Sequence, residues 1–204
     1  KRGKILDIGF GSGRDMIYFK SLGYEVEGID TSVEFVKNMD NQGFNVTLKS
    51  VTEIDYKNQY DGIWACASLL HIKREDLEQV IVRCIDALKE NDFVYLHIEA
   101  SDEAGHEGNV ELKLKTVEYL ENRVVKPIFE EVSKWTEPVT IAILPDHPTP
   151  CRLKTHISAP IPFLIYYPGI EADEVQQYDE ESAKKGIYGT LEGDEFMNVL
   201  LKTK

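Results

Sequence analysis

The stretch "KILDIGFGSGRD", Lys4 to Asp15, limits this chain to very few folds. A short apolar run ends in Gly9, Gly11 and Gly13, and a helical stretch follows from about Arg14 to Leu22, stopped by Gly23. A buried strand entering a glycine turn and then a helix is the opening of a parallel, doubly wound sheet. Glycine allows the tight turn and close approach of a ligand to the backbone, and the helix behind it offers free N–H groups and a positive dipole end. The next strand, "YEVEGID", ends on Asp30, where a carboxylate can accept both hydroxyls of a ribose.

The pattern continues through the first half. "SVEFVKNMDNQ" reads as a helix with Ser32 as its cap, and "NVTLKS" and "YDGIWACAS" read as strands. "REDLEQVIVRCIDALKE" is amphipathic, with Leu77, Val80, Ile81, Cys84, Ile85 and Leu88 at helical spacing. Strands alternating with helices predict an α/β fold: a mostly parallel, doubly wound sheet in a Rossmann-like three-layer sandwich.

The first 90 residues resemble class I S-adenosylmethionine-dependent methyltransferases. "ILDIGFGSGRD" is similar to their first motif, "VEGIDTS" to their second, and "YDGIWACASLLHI" to the strand and loop that close over the methyl donor. The resemblance implies that Asp7, Gly9, Gly11 and Gly13 hold the methionine part of S-adenosylmethionine and Asp30 its ribose. Ser50 stands where such proteins often carry an acid near the adenine.

Past residue 91 the character changes. Most of the chain's excess acid lies there, and "DFVYLH", a predicted strand, leads into "EASDEAGHEG", which reads as an acidic loop carrying Asp102 and His106. Further on, "ILPDHPTP" is a predicted buried strand with Asp146 and His147 at its end, and His156 in "LKTHISAPIPFLIY" stands before a proline-bounded strand. Three predicted strand ends thus deliver Asp or His, oxygen and nitrogen donors that Zn²⁺ and Mn²⁺ accept. His97 alternates with Tyr95 and Glu99, as a packed histidine or one that supports a ligand would. His71 fits a packed or loop role.

This half, residues 91–204, resembles the archaeal-type cofactor-independent phosphoglycerate mutases of the alkaline phosphatase superfamily. The segments that carry the likeness are "DFVYLHIEASDEAGHEG", "ILPDHPTP", "THISAPIPFLIYYPG" and "YDEESAKKGIYGTLEGDEFMNVLL". It implies one metal on Asp102, His106 and His156 and a second on Asp146 and His147. No residue of the chain matches the family's phosphoryl-accepting serine, so phosphoryl transfer is not expected.

The whole, residues 1–204, is therefore read as a single composite α/β domain, a natural fusion or a recombined or designed chimera, joined between Ala87 and Asp92. Its strands are expected to continue in one sheet. Three sparse cysteines, Cys66, Cys84 and Cys151, and the lack of a signal-peptide pattern suggest a reducing, cytoplasmic setting. No apolar run reaches the roughly 20 residues of a membrane span. A net charge of −13 argues against nucleic acid and anionic membranes as partners, leaving a small-molecule ligand.

Overall fold

A computed structural model of the chain describes residues 2–69, 72–73 and 75–201. His71 lies outside the described residues. Five strands form one parallel sheet: β1 (Lys4–Ile8), β2 (Glu25–Asp30), β3 (Asn45–Leu48), β4 (Tyr60–Cys66) and β5 (Leu88–His97). Their order is β3-β2-β1-β4-β5. β1 pairs with β2 from Lys4↔Glu25 to Ile8↔Ile29, and with β4 from Ile5↔Gly62 to Asp7↔Trp64. The chain reverses its direction of winding at β1, so the carboxyl end of that strand is the switch point where such sheets bind ligands.

The helices form for local reasons. α1 (Arg14–Ser21) has Asp15 in its first turn and Lys20 in its last, matching the helix dipole at both ends. In α2 (Val33–Asn41) the Ser32 hydroxyl accepts from Phe35 N at 3.3 Å. α3 (Leu77–Ala87) buries Val80, Ile81, Cys84 and Ala87. Two apolar clusters lie on the two faces of the sheet. Leu6, Ile8, Ile29, Ile63 and Ala65 pack with Val80 and Cys84 of α3 on one face, and Phe10, Met16, Val26 and Met39 gather α1 and α2 on the other. This is the expected three-layer arrangement.

The sheet's fifth strand comes from the second half of the sequence. α3 runs directly into β5, whose register against β4 shifts between Tyr60↔Leu88 and Gly62↔Phe93 before continuing to Cys66↔His97. β5 is followed by α4 (Ala100–Glu107) and α5 (Val110–Leu120), then a π-helical turn over Glu121–Val125 and α6 (Lys126–Val132). Pro127 explains the π turn. Proline lacks an N–H and its ring clashes with the carbonyl four residues earlier, so the helix widens just ahead of it.

Two expectations are corrected here. "VTIAILPD" and "PFLIYYP" do not extend the parallel sheet. β6 (Ile141–Ile143) and β7 (Leu164–Tyr166) pair antiparallel with each other in a separate two-stranded sheet, from Ile141↔Tyr166 to Ile143↔Leu164. β6 is only half-buried, not the buried strand its apolar run suggested. With three residues each, the two strands lack the length and the two-sided burial of a central parallel strand.

By its packing the chain divides into two compact units, Lys1–Ser101 with Lys115–Glu131, and Asp102–Leu114 with Val132–Lys204. In the second unit Tyr167 donates to the carbonyl of Val199 at 2.5 Å, at the end of α7 (Gly193–Leu200), and Phe163 packs edge-on against Phe196. Tyr178 reaches the carbonyls of Ile143 and Pro162 at 3.3 and 3.2 Å. Buried apolar side chains are few there: among the described residues Ala104, Val132, Pro162 and Tyr167. Polar contacts carry much of this unit.

Candidate functional site

The acidic stretch expected to be a loop is a helix. Asp102 and Glu103 occupy the first turn of α4 and His106 the last, the charge order a helix dipole favours. Gly108, at φ 74°, ends the helix, with its N–H on the Gly105 carbonyl. Gly105 is in the helix interior for a different reason: a Cβ there would run into the Thr149 carbonyl. Loss of that side chain lets the segment 146–149 lie against the helix.

The helix places Asp102 and His106 on one face, one turn apart. The segment bearing Asp146 and His147 and the turn before His156 meet that face. His106 Nε2 lies 3.4 Å from Asp102 Oδ2, His156 Nε2 lies 3.4 Å from Asp102 Oδ1, and the two Nε2 atoms are 2.9 Å apart. His147 Nδ1 is 3.9 Å from Asp102 Oδ1, and the rings of His147 and His156 have centroids 3.7 Å apart. Asp146 stands on the other side of His147, its Oδ2 3.2 Å from Nε2, and accepts His147 N at 2.9 Å. All five sequence-predicted metal residues are thus brought to one place, with Asp146 behind His147.

Two further contacts shape the cluster. The Thr149 hydroxyl, buried, donates a short hydrogen bond to Asp102 Oδ1, and the Lys154 carbonyl lies 3.1 Å from His106 Nδ1. Burial raises the Asp102 carboxyl, but the Thr149 hydrogen bond and the charges of His106, His156 and His147 outweigh it and hold the group below its usual range. Sequence reasoning missed both contacts. Thr149 carried one signal, its spacing of two from His147, which puts both on one side of an extended segment; a backbone carbonyl carries none.

The donor set fits a metal ion. A tetrahedral site with bonds of about 2.0–2.1 Å has ligand atoms about 3.3 Å apart. The separations of 2.9, 3.4, 3.4 and 3.9 Å bracket that value. Asp102, His147 and His156 alone offer atoms within 4.8 Å of one another.

The glycine turn is a second candidate site. Gly9, Gly11 and Gly13 all have positive φ. A Cβ at Gly9 would meet Ser68 and one at Gly13 would meet Met39, whereas Gly11 faces open space. Asp30 does not stand free for a ribose. Its Oδ2 accepts Gly11 N at 2.9 Å and its Oδ1 accepts Ser32 N at 2.8 Å, so it ties the turn to the start of α2. Ser50 caps the 3₁₀ turn Val51–Glu53 rather than lying open. Asp7 is buried and its Oδ2 has no hydrogen-bond partner; nor does the buried Ser68 Oγ. Burial, with Asp15 and Asp30 nearby, pushes the Asp7 carboxyl up to about 7. Next to Ser68, Ala67 takes a left-handed φ of 52°, a strained choice for alanine. His97 is a packed histidine, with Tyr95 Oη 3.0 Å from Nδ1 and Glu99 3.8 Å from Nε2.

A Rossmann-like sheet with a histidine–carboxylate cluster defines an α/β protein of metalloenzyme type. The family model of the Metalloenzyme superfamily matches residues 32–203, and the chain belongs to that superfamily. It is 49% identical over 120 residues to the 2,3-bisphosphoglycerate-independent phosphoglycerate mutase of Methanosarcina mazei, covering 58% of this chain and 30% of that protein. The probable mutase of the same name from Geobacter sulfurreducens is 39% identical over 167 residues, 78% of this chain and 41% of that protein. The chain therefore spans less than half the length of these curated relatives. Among solved structures, the PH0037 protein from Pyrococcus horikoshii aligns with 98% of this chain and 48% of its own, at TM-score 0.56 and 20% identity. The plantazolicin methyltransferase BpumL, solved in complex with SAH, aligns with 71% of this chain and 62% of its own, at 0.54 and 16%. The likenesses are composite: mutase in sequence and, in part, methyltransferase in fold. Cys66, Cys84 and Cys151 are free, and no helix of the described residues is long and apolar enough to cross a membrane.

Proposed function

We propose that this chain binds a divalent cation, Zn²⁺ or Mn²⁺, in its second unit through Asp102, His106 and His156. The observation that carries this reading is the convergence of His106 and His156, their Nε2 atoms 2.9 Å apart, on the two oxygens of Asp102, each 3.4 Å from one ring. A bound cation of this kind supplies Lewis acidity to an oxygen ligand. The chain's own residues prepare the site. The Lys154 carbonyl accepts a hydrogen bond from Nδ1–H of His106, which turns the Nε2 lone pair to the cluster, and Thr149 fixes the Asp102 carboxylate. Asp102, His106 and His156 all remain partly exposed, so a small-molecule ligand can reach the site. Titration calorimetry with Zn²⁺ and Mn²⁺ tests the reading. The parent binds at micromolar or lower concentrations, and His156→Ala weakens binding at least tenfold. A parent that takes up neither ion at millimolar concentration overturns it.

A second reading is favoured by one observation, the buried and unpartnered Oδ2 of Asp7. S-adenosylmethionine carries an ammonium and a sulfonium, either of which would give that oxygen a partner, and Gly11 leaves open space for a ligand. With Asp30 engaged by Gly11 and Ser32, ribose hydroxyls would share its remaining lone pairs. Equilibrium dialysis with labelled S-adenosylmethionine tests this: binding weakened at least tenfold by Asp7→Asn supports it, and no uptake by the parent at millimolar ligand excludes it.

A further inference from the structure

The resemblance of the second half to the mutases implies two ions, with Asp146 and His147 serving the second. The geometry points to a different arrangement: we propose that the chain builds one mononuclear site in which His147 joins Asp102, His106 and His156 on a single Zn²⁺, while Asp146 only orients His147. This rests on the metal-binding reading above.

The contacts around each ring carry the inference. His106 faces the Lys154 carbonyl with Nδ1, an acceptor that requires a proton on that nitrogen, so its Nε2 presents a lone pair to the cluster. His147 is held in the opposite sense. Its Nε2 faces Asp146 Oδ2 at 3.2 Å, again an acceptor outside the cluster. Its Nδ1 turns to the cluster, 3.9 Å from Asp102 Oδ1 and in a 3.3 Å hydrogen bond with Thr149 Oγ1. Thr149 gives its own proton to Asp102, so without a cation Nδ1 is the donor in that bond, and a cation takes the place of the Nδ1 proton. Ligand atoms of Asp102, His147 and His156 thus lie within 4.8 Å of one another, and His106 Nε2 stands 2.9 Å from His156 Nε2. Without a cation the His106 and His156 Nε2 atoms share one proton in a 2.9 Å hydrogen bond; a dication takes its place.

Asp146 is poorly placed for a site of its own. One of its oxygens accepts the His147 N–H and the other faces Nε2 of the same residue, so both engage His147. A carboxylate behind a histidine, on the side away from the metal, is the usual means of fixing the ring and raising its basicity. Three imidazoles and one carboxylate suit Zn²⁺, a borderline ion with nitrogen ligands, better than the harder, oxygen-preferring Mn²⁺ or Mg²⁺.

The test counts ions and imidazoles. The full chain, loaded with Zn²⁺ and desalted, is analysed for metal per chain and by X-ray absorption at the zinc edge. The expected result is one zinc per chain with three imidazoles, falling to two in His147→Ala. Asp146→Asn keeps three imidazoles and loses 10- to 100-fold in affinity, the range for a residue supporting a ligand. In the His147→Ala background, Asp146→Asn changes affinity no further. Circular dichroism confirms that each variant is folded, and if His147→Ala is not, the imidazole count in the parent and the affinity of Asp146→Asn decide. Two zinc ions per chain, or two imidazoles in the parent, or an Asp146→Asn effect that persists without His147, overturns the mononuclear site while leaving metal binding intact. No zinc at all overturns the metal-binding reading as well.

Discussion

Asp7 shows how a single residue can be read both ways. A buried carboxyl beside two other acids is costly to ionise, and its pKa rises to about 7 in the folded chain, against about 3.9 when unfolded. The sign follows directly. The folded state keeps the proton where the unfolded chain has lost it, so the stability linked to Asp7 is fully present below about pH 4 and is lost as pH rises towards 7. Asp7→Asn cannot ionise and escapes that loss. Urea unfolding of parent and variant at several pH values should show the variant gaining on the parent between pH 4 and 7, by up to a few kcal/mol. A difference independent of pH would mean that Asp7 is solvated or paired in solution. Asp30 carries the complementary lesson: its position at the end of β2 was legible, yet both its oxygens hold backbone N–H groups. Asp30→Ala should therefore lower stability by about 1–3 kcal/mol, beyond any effect on ligand binding.

At the scale of elements, what was legible depended on burial. β1, α1, β2, α2, β4 and α3 were plain in the sequence from short apolar runs, the glycine turn and stop, the Ser32 cap and, in α3, buried residues at helical spacing. α4 was not, because no apolar period marks it; its helical form shows instead in the four-residue step from Asp102 to His106 and in Gly105. β6 and β7 misled for the opposite reason, since apolar runs of that length suggest buried strands while these lie half-exposed. The five metal-site residues were visible as residue types at recognisable positions, but the Lys154 carbonyl that sets a tautomer was not. Gly105 offers an element-scale test. Alanine is the better helix former by about 1 kcal/mol, yet its methyl would collide with the Thr149 carbonyl. Chemical denaturation should show Gly105→Ala less stable than the parent by about 1–3 kcal/mol, the cost of overpacking. A gain in stability would mean that the segment 146–149 does not pack against α4.

For the whole molecule, the two units differ in what holds them. The first has two apolar clusters about its sheet, while the second buries few apolar side chains and gathers its polar groups around Asp102. A ligand that binds only the folded state stabilises it in proportion to the logarithm of its concentration over Kd. Zinc should therefore protect peptide bonds of the second unit from limited proteolysis, and EDTA should reverse this with little effect on the first; equal protection of both units would contradict the assignment. A single cluster of donors also bears on catalysis. Two-ion phosphoryl transfer needs ions about 3.5–4 Å apart, and the described residues gather donors for one. The chain should not interconvert 3- and 2-phosphoglycerate in an enolase-coupled assay with added Mn²⁺, and turnover clearly above a heat-treated control would refute this.

The most direct measurement is anomalous diffraction at the zinc edge from crystals grown with Zn²⁺. The account predicts a strong peak about 2.0–2.2 Å from the nearer Asp102 oxygen and from Nε2 of both His106 and His156. A zinc-soaked crystal with no peak among these side chains, or with His156 turned away from Asp102, would contradict it.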